Sequence, residues 1–131
     1  MTQTPPILAI ADFISDPVDP ADFPKHTIRY WNTRWADEVG LGDLDTADQA
    51  THFGRFAPLP QNLQQPLALR YHGHQFGTYN PQLGDGRGFL FAQVRDTDSR
   101  LLDLGTKGSG QTPWSRQGDG RLTLKGGVRE I

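Results

Sequence analysis

Glycine is concentrated in one half of this 131-residue chain, next to charged side chains. Twelve of the fifteen glycines lie within 67–131, beside Arg, Lys, Asp and His rather than in serine-rich sequence. Because glycine has no Cβ, it lets the backbone turn tightly and approach a ligand closely, so glycine mixed with charge is typical of a binding surface. With ten prolines and a hydrophobic share of 35%, the pattern predicts long ordered loops around a single modest core.

The overall charge favours neither nucleic acid nor a membrane as a partner. The formal net charge is -2, so any phosphate-binding site must be local. No cysteine is present, which excludes disulfides and thiolate metal sites and agrees with a reducing compartment such as the bacterial cytoplasm, our hypothesis for its location. Residues 1–13 lack Lys, Arg and a long apolar run, and so predict no signal peptide, transit peptide or membrane span.

The N-terminal half predicts helices after an irregular start. Residues 1–24 hold five prolines without sustained periodicity, which predicts an irregular lead-in before a single unit over 25–131. From His26 onward, apolar spacings of three, four and four predict a helix ending at Gly40, with a stripe formed by Ile28, Trp31, Trp35 and Val39. We interpret its two tryptophans as core packing rather than as a base-stacking platform. A short helix over 45–53 and a proline-rich connection to Pro66 follow.

The C-terminal half predicts two strands and a helix. Residues 88–94 form an apolar run typical of a buried strand, 101–104 form a weaker candidate, and the polar residues 96–100 between them fit a hairpin turn. Near the end, a helical pattern begins with Leu122, Leu124, Val128 and Ile131. The chain finishes inside this pattern without a cap, so we expect the protein to continue beyond Ile131.

A glycine loop, Gly84-Asp85-Gly86-Arg87-Gly88, stands directly before the first of these strands. Its backbone amides could approach a phosphate, although a turn that feeds a strand also needs glycine for its own conformation. The loop matches neither a Walker A motif nor a dinucleotide fingerprint. A glycine loop that leads into a strand is the protein-kinase order, in which a later lysine reaches the phosphates and a glutamate on a helix holds that lysine.

Both of these partners have candidates in the sequence. Lys107 lies 21 residues after Gly86, and Glu130 lies 23 residues after Lys107, within the terminal helical pattern. Spacing alone leaves the alternative that Lys107 is a solvated surface charge and Glu130 an ordinary surface carboxylate.

Three linked motifs give a more specific indication. Residues 107–116 read Lys-Gly-Ser-Gly-Gln-Thr-Pro-Trp-Ser-Arg, and Asp119-Gly120-Arg121 follows. Upstream, residues 73–77 read Gly-His-Gln-Phe-Gly and residues 81–87 read Pro-Gln-Leu-Gly-Asp-Gly-Arg. Over 67–130 this order of motifs resembles the selenoprotein O family of protein adenylyltransferases, often called pseudokinases.

The resemblance implies an α+β fold that is the N-terminal part of a protein-kinase-like fold, with short antiparallel strands, flanking helices and long Gly-rich loops. It implies an enzyme that binds ATP in a flipped orientation, with Mg²⁺ or Mn²⁺, and transfers AMP to hydroxyl groups of protein substrates. In this sequence the implied ATP-binding residues are Gly84, Gly86, Arg87, Lys107, Asp119 and Gly120. Glu130 is implied to position Lys107.

The sequence departs from the family in one motif and lacks other expected groups. Many members have Arg-Ser-Ser where this chain has Lys125-Gly126-Gly127. The family's general base and its Asn and Asp metal ligands are expected beyond residue 131, so we expect no catalytic residue and no metal ligand within the chain and predict that these 131 residues alone are inactive. Two other functions stay open, a non-catalytic module that binds ATP or protein and a kinase-like phosphotransferase.

Two histidines, His72 and His74, are separated by one residue and raise the question of a zinc site. Without cysteine or a carboxylate at ligand spacing, the pattern favours a structural role or a hydrogen-bonded turn. The sequence therefore predicts no structural metal.

Overall fold

The computed structural model describes residues 4–131, which form an α+β fold, as predicted. The helical elements are a 3-10 turn at Pro6–Ala9, α1 at Ala11–Ile14, α2 at Thr33–Glu38, α3 at Thr46–Gln49, a π-turn at Ala50–Gly54 and α4 at Leu124–Val128. The strands are β1 at Ser15–Pro17, β2 at Leu67–Gln75, β3 at Thr78–Gly84, β4 at Leu90–Arg95 and β5 at Leu101–Gly105. The likeness of this arrangement to a protein kinase stays a prediction.

Strand β2 pairs with three other strands, all antiparallel. Its first residues pair with β1 and, at Leu67, with Leu90 of β4, whereas its later residues pair with β3, with Arg70 opposite Gly84. β4 continues to β5 through a turn in which Asp96 N–H donates to the carbonyl of Arg100. The predicted strands at 88–94 and 101–104 are thus confirmed as β4 and β5, with the polar turn between them.

The core is built around the start of β4, because both faces of this strand are covered. Phe89, Leu90 and Phe91 are only 2–3% exposed. Phe89 and Phe91 pack on one side in a cluster with Val18, Leu59, Ala68 and Ala92. Leu90 packs in a second cluster with Leu63 and Leu67. A strand buried on both faces needs consecutive apolar residues, which is why this segment was the clearest strand signal in the sequence.

Strands β2 and β3 form a hairpin that the sequence did not predict. Its two-residue turn is Phe76-Gly77, with φ of 54° and 76°, the left-handed pair that a tight hairpin requires. Apart from the first two residues of β2, neither strand has a buried side chain, and Tyr71, Phe76 and Tyr79 are exposed. No buried face therefore imposes an apolar alternation on the hairpin. The pattern that would reveal the two strands is missing from the sequence.

The segment predicted to be an irregular lead-in contains regular elements. Residues 6–14 form the 3-10 turn and α1, and Ser15–Pro17 then pair with Leu67–Leu69. Proline at the first positions of the 3-10 turn is compatible with a helix start, because the missing N–H has no partner there in any case. The prolines at the start of this segment are therefore compatible with a helical turn. Residues 18–32, in contrast, are largely irregular.

The first predicted helix is less than half as long as expected. It covers Thr33–Glu38 instead of 26–39, because the Asn32 side chain caps it by accepting a hydrogen bond from Trp35 N–H at 3.3 Å. Trp31 packs edge-on against Phe53 at 5.3 Å, as core packing predicts. The same interpretation of Trp35 is wrong, since this side chain is 56% exposed with a guanidinium from Arg34 over its ring.

The other helix predictions are confirmed with adjusted bounds. The expected helix over 45–53 is α3 and the π-turn, and it begins where Asp45 accepts a hydrogen bond from Asp48 N–H. The terminal pattern is α4, whose start is capped by the Thr123 hydroxyl accepting from Gly126 N–H at 3.1 Å. Within residues 4–131, no helix has the length and apolar character needed to cross a bilayer.

Candidate functional site

A cavity of about 850 Å³ lies between the glycine loop and the segments that follow β5. This volume is within the range of about 300–1,000 Å³ that is common for small-molecule sites. All six residues predicted to bind ATP line its walls, namely Gly84, Gly86, Arg87, Lys107, Asp119 and Gly120. The structure therefore brings together residues from three separate parts of the sequence, and their role in binding stays a prediction.

The side chains that line this cavity carry a net positive charge, whereas the net charge of the whole chain is negative. Four cationic side chains line it, Arg87, Lys107, Arg116 and Arg121, against three carboxylates, Asp85, Asp103 and Asp119. The local balance thus favours an anion even though the formal net charge of the chain is -2. This agrees with the expectation that any phosphate site in this chain is local.

The carbonyl groups of the glycine loop are held by the segment 108–115. Asp85 O accepts from the Thr112 hydroxyl, Gly86 O accepts from the Ser115 hydroxyl at 2.6 Å, and Arg87 O accepts from Gly108 N–H at 2.5 Å. Three consecutive carbonyl groups are therefore satisfied by one neighbouring segment.

The amide groups of the same loop have no such partners. Among residues 4–131, no atom accepts a hydrogen bond from the N–H of Gly86, Arg87 or Gly88. Successive amides without protein acceptors are free to donate to an anion. Because these residues line the cavity, they are its strongest candidates for phosphate contacts.

Packing requires glycine at position 84, whether or not a ligand binds. A Cβ there would lie 2.5 Å from the indole ring of Trp114. The Trp114 indole N–H in turn donates to Asp16 at 3.2 Å, which fixes the ring against the loop. The sequence left open that the turn needs glycine for its own conformation, but no glycine of this loop has a positive φ. Gly84 is needed instead for close packing against Trp114, which does not exclude phosphate contacts elsewhere in the loop.

Lys107 and Glu130 meet in the structure. Lys107 lies just after β5, Glu130 lies just after α4, and the Nζ and Oε1 atoms are 2.8 Å apart. Both side chains are about half exposed, at 51% and 48%, so the ion pair contributes only about 0–1 kcal/mol to stability. Glu130 does not line the cavity, whereas Lys107 does. This geometry suits a carboxylate that orients a cavity lysine better than it suits a stabilising bridge.

The Asp119-Gly120-Arg121 motif forms another part of the cavity wall. Asp119 accepts a hydrogen bond from Arg121 N–H at 3.0 Å, and Gly120, at φ 71°, accepts one from Gly110 N–H at 3.2 Å. Ser109 and Arg121 pair as an isolated bridge. These contacts join the segment that carries Lys107 to the segment that carries Asp119.

Several residues of the site were not predicted to take part. Thr112 and Ser115 hold the loop carbonyls, Trp114 packs on the loop, and Arg116 donates to the side chain of Gln75 at the end of β2. Arg116 also has a φ of 56°, an uncommon conformation for a residue other than glycine. All except Gln75 belong to the Thr-Pro-aromatic-Ser-Arg motif. This motif marked the segment in the sequence but did not indicate what each of its residues does.

The two histidines of β2 contact a tyrosine. His72 Nδ1 shares a hydrogen bond with the Tyr79 hydroxyl, and the His74 ring packs edge-on against Tyr79. Within the part of the chain that the structure describes, no cluster of three His, Asp or Glu side chains could hold a metal ion. The contacts are those of the hydrogen-bonded structural role that the sequence favoured.

Burial raises the pKa of the Asp85 carboxyl above its ordinary value of 3.8. A hydrogen bond from Leu69 N–H at 3.0 Å favours the carboxylate and offsets only part of this effect. Burial and the nearby charge of Asp85 also raise the pKa of the Tyr71 phenol. A carboxyl whose native pKa is raised binds its proton more tightly in the folded protein than in the unfolded chain.

Asp85→Asn is therefore expected to remove a pH-dependent loss of stability. The protonated Asp85 carboxyl stabilises the folded protein fully below pH 3.8, and this stabilisation declines as the pH rises through the raised native pKa. The free energy of unfolding of Asp85→Asn minus that of the wild type should consequently increase over this window. Urea denaturation at a series of pH values measures this difference and cancels the titration of other groups. A difference that stays constant with pH would contradict the assignment.

Comparison with known proteins places the chain in a family. Residues 2–131 match the family model described as protein adenylyltransferase SelO. The chain belongs to the SelO family. The match covers nearly the whole sequence, including the N-terminal half, where the motifs gave little indication. The resemblance to selenoprotein O that the motifs carried is thereby confirmed.

Curated relatives agree with this assignment. The chain is 51% identical over 133 residues to protein nucleotidyltransferase YdiU from Synechocystis sp., which covers 100% of the chain and 27% of the relative. It is 52% identical to the protein of the same name from Trichodesmium erythraeum, with the same coverage, and 44% identical to that from Chromobacterium violaceum, with 88% and 24% covered. The chain thus spans about a quarter of the length of these bacterial relatives.

Proposed function

We propose that this chain supplies the ATP phosphate site of an enzyme that transfers AMP from ATP to hydroxyl side chains of proteins. The observation that carries the proposal is the glycine loop, whose three successive amides at Gly86, Arg87 and Gly88 have no acceptor among residues 4–131. They line the same cavity as the charges of Arg87 and Lys107. Membership of the SelO family supplies the reaction.

The loop and the two cations would share the work of holding the triphosphate. Fixed amides and charges in a preorganised site stabilise a negative charge without reorganising during the reaction. The Arg87 guanidinium can grip a phosphate through two parallel hydrogen bonds, whereas Lys107 acts as a point charge. Asp119 and Gly120 would line the nucleotide on another part of the wall.

The proposed reaction is a displacement at the α-phosphorus of ATP. The acceptor hydroxyl oxygen forms a bond to this phosphorus, the bond to the bridging oxygen of the β-phosphate breaks, and pyrophosphate leaves. The hydroxyl proton passes to a general base, which we expect beyond residue 131. Cationic side chains that contact the departing pyrophosphate lower the barrier, because negative charge accumulates on the leaving oxygen.

The family also implies Mg²⁺ or Mn²⁺. Within residues 4–131, Asp, Glu and His side chains do not gather in any group of three that could hold a metal. We propose that the metal ligands lie beyond residue 131. The bacterial cytoplasm stays our proposed location, on the basis of the bacterial relatives and the lack of cysteine.

Radiolabelled ATP distinguishes AMP transfer from the other functions. We expect the full-length protein, incubated with a protein acceptor, to transfer label from [α-³²P]ATP and none from [γ-³²P]ATP. Intact-mass spectrometry should show the larger, AMP-sized adduct. Transfer of γ-label alone would indicate a phosphotransferase, and binding of ATP without transfer of either label would indicate a non-catalytic module. Either result would overturn the proposal.

A further inference from the structure

Two hydroxyl groups hold the glycine loop by its backbone. The Thr112 side chain donates to Asp85 O, and Ser115 Oγ donates to Gly86 O at 2.6 Å. The two residues also bind each other, since Thr112 N–H donates to Ser115 Oγ at 2.8 Å. Thr112 is 6% exposed, so bulk water has little access to replace its hydroxyl. The pair forms a fixed unit rather than two mobile surface groups.

Peptide geometry connects these hydroxyls to the amides of the loop. In a trans peptide the C=O and the N–H of one peptide unit point in opposite directions, and the described chain has no cis peptide bonds. The carbonyl of Asp85 shares its peptide unit with the N–H of Gly86, and the carbonyl of Gly86 shares one with the N–H of Arg87. Fixing the two carbonyls on Thr112 and Ser115 therefore turns the two amides away from these hydroxyls.

Those amides are the ones without a protein acceptor. A glycine-rich loop that is not held can rotate its peptide units, because glycine populates many backbone conformations. Rotation of either unit would replace a donor with a carbonyl oxygen, which repels a phosphate. The orientation of the two amides thus depends on the contacts that hold the two carbonyl groups.

We propose that Thr112 and Ser115 are positioning residues that set the Gly86 and Arg87 amides for a phosphate group of the nucleotide. This inference rests on the proposed function, because it assumes that the loop receives the phosphates of ATP. Both hydroxyls donate to carbonyl groups of the loop and so act through its backbone. Thr112 does not line the cavity, whereas Ser115 does, so Thr112→Val is the cleaner test of this role. Loss of either hydroxyl should weaken the grip on phosphate while the adenosine part of the ligand keeps its contacts.

The test compares Thr112→Val, which keeps the side-chain shape without the hydroxyl, and Ser115→Ala in the full-length protein. Calorimetry with ATP and with adenosine measures the two dissociation constants. We expect the Kd for ATP to rise about 10-fold in each variant, the effect of one lost charge-assisted hydrogen bond. The Kd for adenosine should not change. Thr112→Ser, which restores the hydroxyl, should recover most of the ATP affinity.

Two controls separate positioning from folding. Thr97→Val removes a hydroxyl whose partner is Glu38, away from the cavity, and should leave both dissociation constants unchanged. If Thr112→Val does not fold, Ser115→Ala still tests the inference, because Ser115 is only half-buried. A purely structural role predicts a parallel loss of ATP and adenosine affinity, and that result would overturn the inference.

The outcomes also separate this inference from the function on which it rests. A wild-type protein that binds ATP, with variants that bind it equally well, overturns the positioning role and leaves the proposed function intact. A full-length wild-type protein that does not bind ATP overturns both.

Discussion

Lys107→Ala is expected to reduce AMP transfer by the full-length protein about 100-fold or more, the usual effect of removing a charge or donor aimed at developing negative charge. Lys107 lines the cavity beside the glycine loop, and the backbone fixes its position there because Gly108 N–H is bound to Arg87 O. The rate of label transfer from [α-³²P]ATP measures this loss.

Stability should not explain that loss. The Lys107–Glu130 pair is half exposed, so breaking it changes the free energy of unfolding by only about 0–1 kcal/mol. Urea denaturation of the variant checks this expectation. Lys107→Arg, which keeps the charge but changes the length and shape of the donor, should recover only part of the activity, because the two cations are not equivalent in phosphate binding.

Glu130 tests whether the lysine must be oriented. Glu130→Ala should also lose much of the activity, although Glu130 does not line the cavity. If Glu130 acts only by holding Lys107, the double variant should be little worse than Lys107→Ala alone. Glu130→Gln, which keeps the shape and removes the charge, separates electrostatic orientation from packing. Losses that add fully in the double variant would show that the two residues work independently.

Burial explains which parts of the fold the sequence could predict. β4 was predictable because both of its faces are covered, which leaves the uninterrupted run Phe89-Leu90-Phe91. β2 and β3 were not, since their exposed residues need no apolar alternation and their pairing depends on backbone hydrogen bonds and a turn at Phe76-Gly77. The helix start at Asn32 was missed because the apolar spacing continues upstream of this capping residue, where the backbone is not helical.

The candidate site was predictable to the extent that motifs mark it. The six implied ATP-binding residues line one cavity, and Lys107 meets Glu130. The contacts of Thr112 and Ser115 with the loop span 27 and 29 residues. A side chain that binds a distant backbone carbonyl leaves no periodicity and no charge pattern in the sequence, so only the structure could assign it a partner.

Gly120→Ala is expected to destabilise the protein by about 2–4 kcal/mol, through backbone strain and a steric clash together. Gly120 has a φ of 71°, which disfavours any side chain, and an added Cβ would overlap the carbonyl oxygen of Gly110. That carbonyl belongs to backbone, so it cannot move aside without shifting the segment that carries Lys107. The variant should therefore also lose ATP affinity. Urea denaturation and calorimetry measure the two effects.

Gly127→Ala is the matched control for this substitution. Gly127 lies within α4, with ordinary backbone φ and no atom within 4 Å of an added Cβ. The same chemical change there should stabilise the protein by about 0.5–1 kcal/mol, because alanine favours a helix more than glycine does. The two variants are thus expected to shift the free energy of unfolding in opposite directions. If Gly120→Ala were as stable as the wild type, residues 110 and 120 could not pack as closely as described. The contact between the segments that carry Lys107 and Asp119 would then be contradicted.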